Sequence, residues 1–295
     1  MKQKIRKYFN NQNWNIGFVN QGSVDLVRQR KLGEIQWMKH TYRDRFFADP
    51  FIYFVDSERI VVFAEECEFD NPKGRLVELE VDVTTKKLLK RRVLLELDTH
   101  LSYPIMYREG ENVYVYPENG ASGCLAIYKY DASRHSLVFV KNIIEEALAD
   151  ATMVKDNDAM WMFATRYSAS QEDLYIYKSV GETAMQLLVE TPIVAGKSSA
   201  RMAGDVFEVD GVKYRPAQNC SQRYGGGLEI MRVNSIEPYV EEPFLSIKPS
   251  SFKYNLGLHT INFSNNLCVV DGYGYLYPIV GRILHFLRRI VKKVR

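Results

Sequence analysis

Phe47-Ala48-Asp49-Pro50-Phe51-Ile52 is the first of five short stretches along this chain that open in the same way. The others are Leu101-Ser102-Tyr103-Pro104-Ile105-Met106, Leu148-Ala149-Asp150-Ala151-Thr152-Met153, Met202-Ala203-Gly204-Asp205-Val206-Phe207 and Gly257-Leu258-His259-Thr260-Ile261-Asn262. Turn residues follow the first four, at Asp56-Ser57-Glu58-Arg59, Glu109-Gly110-Glu111-Asn112, Asp156-Asn157-Asp158-Ala159 and Val209-Asp210-Gly211. Each turn leads into an aromatic-rich run, at 60–63, 113–116, 160–163 and 212–214. Third runs stand at 74–81, 124–130, 174–178 and 228–233. Polar turns between alternating runs are hairpin signals. A repeat of about fifty residues is the length of a four-stranded propeller blade.

Five openings predict five blades. The fifth is short, because a helical pattern begins soon after Asp271. Segments 14–19, 24–27 and 35–39 supply candidates for its missing strands. N-terminal strands that complete the last blade close the ring and protect its edges. The expected fold is all-β: a five-bladed β-propeller over 1–278, then a basic amphipathic helix over 279–295. A β-sandwich with an accidental repeat is the competing architecture. The lack of long helical patterns before the C-terminus argues against an α/β fold.

Composition fits a folded protein, with 46% hydrophobic and 13% aromatic residues. The net charge of +3 is unevenly spread. Lys2, Lys4, Arg6 and Lys7 begin the chain. Arg282, Arg288, Arg289, Lys292, Lys293 and Arg295 end it. Neither end holds an acid, so setting these ten cations against the net +3 leaves the body at −7. An acidic body argues against tracking a nucleic-acid backbone. Cys67, Cys124, Cys220 and Cys268 have no metal spacing and read as free thiols. No apolar run follows the basic start, so no signal peptide is expected, and no stretch reaches the ~20 apolar residues of a spanning helix.

On this register the openings are the innermost strands, which line the axis. Asp49, Tyr103, Asp150, Ala203 or Gly204, and His259 take equivalent places, so ionisable groups converge where burial without partners is costly. Glu65, Glu66, Glu118, Arg166, Arg215 and Asp271 end second strands and flank the same mouth. Each residue has a structural alternative: a turn cap for Asp49, a solvated turn for Glu118, a blade-to-blade bond for Asp150. His259 has one as a satisfied inner-strand histidine, and Arg215 as a partner of Asp205 or Glu208. Tyr224-Gly225-Gly226-Gly227 lacks the Lys-Ser/Thr of a phosphate loop and reads as a hairpin turn near the pocket. Asp156-Asn157-Asp158 has Asp-x-Asp spacing but sits in a predicted turn, and the five histidines lack metal-ligand spacing. No cofactor is expected, and a divalent metal is left undecided.

Phe47-Ala48-Asp49-Pro50-Phe51 resembles the opening motif of the five-bladed family 43-like arabinofuranosidases and xylosidases. A wider resemblance is to the N-terminal domain of plant glucosamine inositolphosphorylceramide transferases and its bacterial relatives. It is carried in order by that motif, Ser102-Tyr103-Pro104, Tyr116-Pro117-Glu118, Trp161-Met162-Phe163-Ala164-Thr165, Arg215-Pro216-Ala217-Gln218-Asn219 and Gly257-Leu258-His259-Thr260. The glycosidase resemblance implies Asp49 as general base, Glu118 as acid and Asp150 as the residue that tunes pKa. The Pro-Glu context of Glu118 departs from the glycosidase setting. Tyr103, Trp161 and Tyr224 are expected to stack on sugar, and Arg166, Arg215 and His259 to bind substrate.

In residues 279–295, Val280, Ile283, Leu284, Leu287, Ile290, Val291 and Val294 recur at helical spacing, with Arg288, Arg289, Lys292, Lys293 and Arg295 largely off the stripe. Such a helix suits an anionic membrane surface; docking on its own propeller is the alternative. The expectation is a cytoplasmic protein, peripheral at the inner membrane face. It would act on a sugar donor or glycan by glycosyl transfer in surface-glycan assembly. A family 43-like hydrolase and a non-catalytic glycan-binding propeller are the rivals.

Overall fold

In a computed structural model of the protein, residues 12–156, 159–180 and 184–293 are described. Lys2, Lys4, Arg6, Lys7, Asn157, Asp158, Val294 and Arg295 lie outside them. So do the side chains of His285, Leu287, Arg288, Arg289, Ile290, Val291, Lys292 and Lys293.

Strand β1 (Gln12–Val19), helix α1 (Ser23–Gln29) and strand β2 (Gln36–Trp37) precede four consecutive four-stranded meanders. The first is β3 (Arg45–Val55), β4 (Arg59–Glu68), β5 (Gly74–Asp82) and β6 (Leu88–Leu95). The second is β7 (Met106–Glu109), β8 (Asn112–Val115), β9 (Leu125–Asp131) and β10 (Ser136–Ile144). The third is β11 (Leu148–Asp156), β12 (Ala159–Arg166), β13 (Asp173–Val180) and β14 (Ala184–Leu187), with β15 (Val194–Ala195) paired to β13. The fourth is β16 (Phe207–Val209), β17 (Val212–Gln218), β18 (Leu228–Ile236) and β19 (Tyr239–Ile247). β20 (Ile261–Ser264) and β21 (Leu267–Tyr275) begin the fifth sheet, which β1 and β2 complete in the order β2-β1-β21-β20.

The five-bladed ring expected from the repeat is therefore present, and it is closed by the N-terminal strand. β1 pairs with β21 from Gln12↔Tyr275 to Val19↔Cys268. One expected strand is corrected. Residues 24–27 lie in α1, where Leu26 alone is buried and Asp25 and Arg28 face outward at helical spacing. An alternating strand would have buried Val24 with Leu26, yet Val24 is exposed.

The blades pack face to face, so their strands are buried on both sides and read as continuous apolar runs. β4 shows the rule. Ile60, Val62 and Ala64 pack with Ile16 and Phe18 of the fifth blade. Phe63, between them in sequence, points the other way and packs with Val113 and Val115 of the second blade. One residue of slip would exchange the two interfaces. All four cysteines are free. A second helix, α2 (Pro278–Lys293), leaves the end of β21. No helix among the described residues is long and apolar enough to cross a membrane.

Candidate functional site

The openings do not run straight. Asp49, Tyr103 and Asp150 have φ of 49°, 47° and 47°, and Gly204 has φ of 140°. Left-handed backbone is costly for non-glycine residues, so these kinks are held by the structure around them. In the first and third blades the kink coincides with a break in register, between Ala48 and Phe51 and between Ala149 and Thr152. The kinked residues then bond across blade boundaries at the axis.

Asp49 bonds to blades on both sides. Its Oδ1 accepts from Thr260 Oγ1 at 2.7 Å, and its Oδ2 from the Tyr103 N–H at 3.1 Å. Its own N–H donates to Asp271 Oδ2 at 3.0 Å. Asp271 also accepts the N–H groups of His259 and Thr260, and lies 2.5 Å from His259 Nδ1. His259 Nε2 is 3.7 Å from Asp49 Oδ1. All three side chains are buried. Burial pushes Asp49 up to about 7, against the pull of the His259 charge and with the push of Asp271. Burial lowers His259, but Asp271 and Asp49 outweigh it and raise it to about 9.

A second cluster faces it. Arg201 Nε lies 2.6 Å from Asp150 Oδ2, and its Nη2 lies 3.0 Å from Glu118 Oε2. Gln218 Nε2 donates to Asp150 Oδ2 at 2.9 Å, and the Asp150 N–H donates to Glu118 Oε2 at 3.2 Å. Two buried carboxylates thus share one guanidinium. Burial drives the Glu118 pKa well above the usual carboxylate range; Arg201 opposes this, and Asp150 and Asp49 add to it. The Arg201 charge is shared by two carboxylates, and the one whose acid form burial favours is Glu118.

An aromatic wall stands over both clusters. Trp14 stacks on His259 with ring centres 3.8 Å apart, and on Tyr273 at 4.7 Å. Tyr224, 40% exposed, meets His259 edge-on at 5.4 Å, and the Arg201 guanidinium lies 5.2 Å from its ring centre. Gly225 lets this loop come down. Its φ is 58°, and a Cβ there would meet His259 Cβ at 2.8 Å and Trp14 at 2.9 Å.

Of the predicted site residues, Asp49, Glu118, Asp150, Tyr224 and His259 are brought together. Tyr103 is at the axis but fully buried; its hydroxyl bonds Thr152 Oγ1 and accepts the Gly204 N–H, each at 2.9 Å, and presents no face for stacking. Trp161 is buried near the opposite end of β12, against Lys178, beside a groove of about 750 Å³ also lined by Lys213 and Glu237. Arg166 pairs with Glu146 at 2.9 Å and lies over Tyr175. Arg215 is fully buried, with Nη2 2.6 Å from Glu241 Oε1 and Nε bonded to Glu241 and Tyr239. Its partner is Glu241, from the outer strand, rather than Asp205 or Glu208. Glu66, expected at the mouth, is instead fully buried among Arg45, Arg75 and Arg91.

Sequence reasoning missed Arg201, Gln218, Thr260 and Trp14. Arg201 stands one residue before the fourth opening, which was a usable signal. Trp14 has none, because its contact exists only through ring closure. One donor atom each from Asp49, His259 and Asp271 lie within 4.8 Å of one another. That mixed imidazole and carboxylate set is compatible with a divalent cation.

The raised His259 predicts a pH effect on stability. A folded pKa above the unfolded one contributes stability below pH 6.5, which is lost as pH rises through about 9. The contribution is at most about 3 kcal/mol. Chemical unfolding of the natural chain and His259→Asn across that window should show a steeper decline in the natural chain. Equal slopes would remove this assignment.

The family model described as glucosamine inositolphosphorylceramide transferase 1, N-terminal, matches residues 32–250. The glucosamine inositolphosphorylceramide transferase 1 of Oryza sativa subsp. japonica is 26% identical over 216 residues, covering 68% of this chain and 28% of the rice protein. That of Arabidopsis thaliana is 27% identical over 215 residues, covering 68% of this chain and 27% of its own. The chain thus spans little more than a quarter of the curated relatives it matches. Two solved structures share the fold. An α-L-arabinofuranosidase from Podospora anserina in complex with cellotriose has a TM-score of 0.52 at 12% identity, covering 74% of this chain and 75% of that one. A GH43 β-xylosidase/α-arabinofuranosidase from a compost metagenome in complex with xylotriose has a TM-score of 0.53 at 12% identity, covering 77% and 90%. With three quarters of its length matched by the family model, the chain belongs to the glucosamine inositolphosphorylceramide transferase 1 N-terminal family.

Proposed function

We propose that the axial carboxylate site, beneath the partly exposed Tyr224 ring, binds a sugar and carries out glycosyl transfer. Forming a glycosidic bond is assisted by a carboxylate that takes the proton of the attacking hydroxyl and, where the leaving oxygen is a poor one, by an acid that protonates it. Asp49 fits the first role. It accepts hydrogen bonds from Thr260 and Tyr103 and titrates near neutrality. Glu118 fits the second, because burial raises its pKa well above the usual carboxylate range and favours its acid form. Asp150, locked by Arg201 and Gln218, adds to the upward push on Glu118. Tyr224 offers a partly exposed aromatic face for the sugar ring. The observation that carries this reading is two buried carboxyl groups in unlike surroundings, with the Asp49 charge adding to the upward push on Glu118.

Transfer is preferred to hydrolysis because the family's relatives are named transferases. The test offers the protein nucleotide sugars with candidate acceptors and, separately, aryl glycosides. Nucleotide release that depends on the acceptor supports transfer. Release of free sugar from aryl glycosides moves the pocket to hydrolysis.

A non-catalytic glycan-binding role is the second reading, because the matched region is little more than a quarter of the named transferases and their name describes the whole protein. Binding without either reaction would select it. This proposal also sets the chain at an anionic membrane surface through residues 279–295, whose sequence carries six cations and no acid.

A further inference from the structure

The helix leaves the ring on the side that bears the site. β21 passes through Asp271, bonded to His259, and continues through Tyr273, stacked on Trp14, to Tyr275. α2 starts three residues later, at Pro278. Gly281 seats it: a Cβ there would lie 2.5 Å from the Tyr275 ring, so this face of the helix rests on the propeller. At 3.6 residues per turn, Ile279, Ile283 and Phe286 lie on the opposite face. They are 66%, 54% and 64% exposed.

Phe252 belongs to the same surface. It is 64% exposed, and Arg282 lies 4.6 Å over its ring. The Arg282 Nη2 also donates to the Phe252 carbonyl at 2.6 Å. Four large apolar side chains, from a loop and a helix thirty residues apart, are thus tied together and held out to solvent. The two segments that carry them hold charge of one sign. Arg282 and Lys253 border the patch, and neither 249–256 nor 278–295 contains an Asp or Glu. Arg43 stands near Lys253; with burial as the larger cause, these two charges pull His40 down to about 4.

We propose that the Phe252 loop and the outer face of α2 together dock on an anionic lipid bilayer, with the axial pocket on the bilayer-facing side of the propeller. A second copy of the chain fits this surface less well. A two-fold contact would set the same cations against each other, whereas anionic headgroups neutralise them. The inference rests on the membrane reading of the tail and adds an insertion point outside it and an orientation.

The test uses the full chain and phosphatidylcholine vesicles with and without phosphatidylserine. Phe252→Ser and Ile279→Ser/Ile283→Ser change exposed side chains only. Each should weaken phosphatidylserine-dependent co-sedimentation about tenfold or more, the effect of removing a buried Phe or Ile contact. Brominated lipids should quench a tryptophan at Phe252→Trp and leave one at Phe139→Trp unquenched; Phe139 is exposed on the outer strand of the second blade.

If Phe252→Ser binds normally while the helix variant does not, the tail alone anchors the protein and this inference falls. If the chain shows no phosphatidylserine-dependent binding, both readings fall. Concentration-dependent dimerisation that is lost in the same variants would assign the surface to a second copy and also overturn it.

Discussion

Arg201→Met is expected to lower the unfolding free energy by about 3–5 kcal/mol, the cost of leaving buried charge without its partner. Arg201 is 7% exposed and is the cation within bonding distance of both Asp150 and Glu118. Without it, Asp150 keeps Gln218 as a donor, but its charge has no counterion there. A loss of that size lowers the melting temperature by roughly 10 °C in a domain of this size. The companion variant Arg201→Met/Asp150→Asn/Glu118→Gln removes the carboxylates as well. It should recover much of the loss, because a neutral set no longer traps charge. Denaturant unfolding of the three proteins decides the matter. A single variant as stable as the natural chain would mean that Arg201 does not hold the cluster, and a triple variant no better than the single would mean that packing rather than charge is at stake.

Asp49→Asn is expected to reduce transfer by about 10²–10⁴-fold, the usual contribution of a positioned proton acceptor. It should do so without unfolding the protein, because Asn still offers a carbonyl oxygen to Thr260 or Tyr103. The natural chain should also lose activity as pH falls through about 7, where Asp49 takes up a proton. The sign follows from the role: only the ionised carboxylate accepts the acceptor's proton. Residual activity in Asp49→Asn should lack that acid limb. Retained activity with an unchanged pH profile would take Asp49 out of the reaction and leave it as the residue that stitches the first blade to the second and fifth.

Much of the fold was legible because a propeller repeats its local rules. The stacked openings placed the blades, and the turn residues placed the hairpins. The missing strands of the fifth blade pointed to β1, whose pairing with β21 closes the ring. Residues 24–27 misled because a short β-branched segment reads as strand until Leu26 is seen buried alone.

The site was half legible. Asp49, Asp150 and His259 follow from strand position, since an opening that reaches the axis carries its polar residue there. The arginines do not follow. Arg215 lies in the middle of β17, and its long side chain turns to Glu241 on the outer strand, while Arg201 supplies the axial cation from just before an opening. Which way a long charged side chain reaches depends on partners in other strands, and those pairings come with the tertiary structure. Trp161 shows the same limit: its ring sits in the packing between blades, near the far end of its strand.

The most direct measurement is a thermal-shift titration of the natural chain, Asp49→Asn and Tyr224→Ala with nucleotide sugars, free sugars and lipid-phosphate analogues. A ligand that binds only the folded state raises its apparent stability. At least one nucleotide sugar should stabilise the natural chain and act more weakly on both variants. If no sugar shifts any of the three, or if one shifts all three equally, the axial pocket is not where this protein holds sugar.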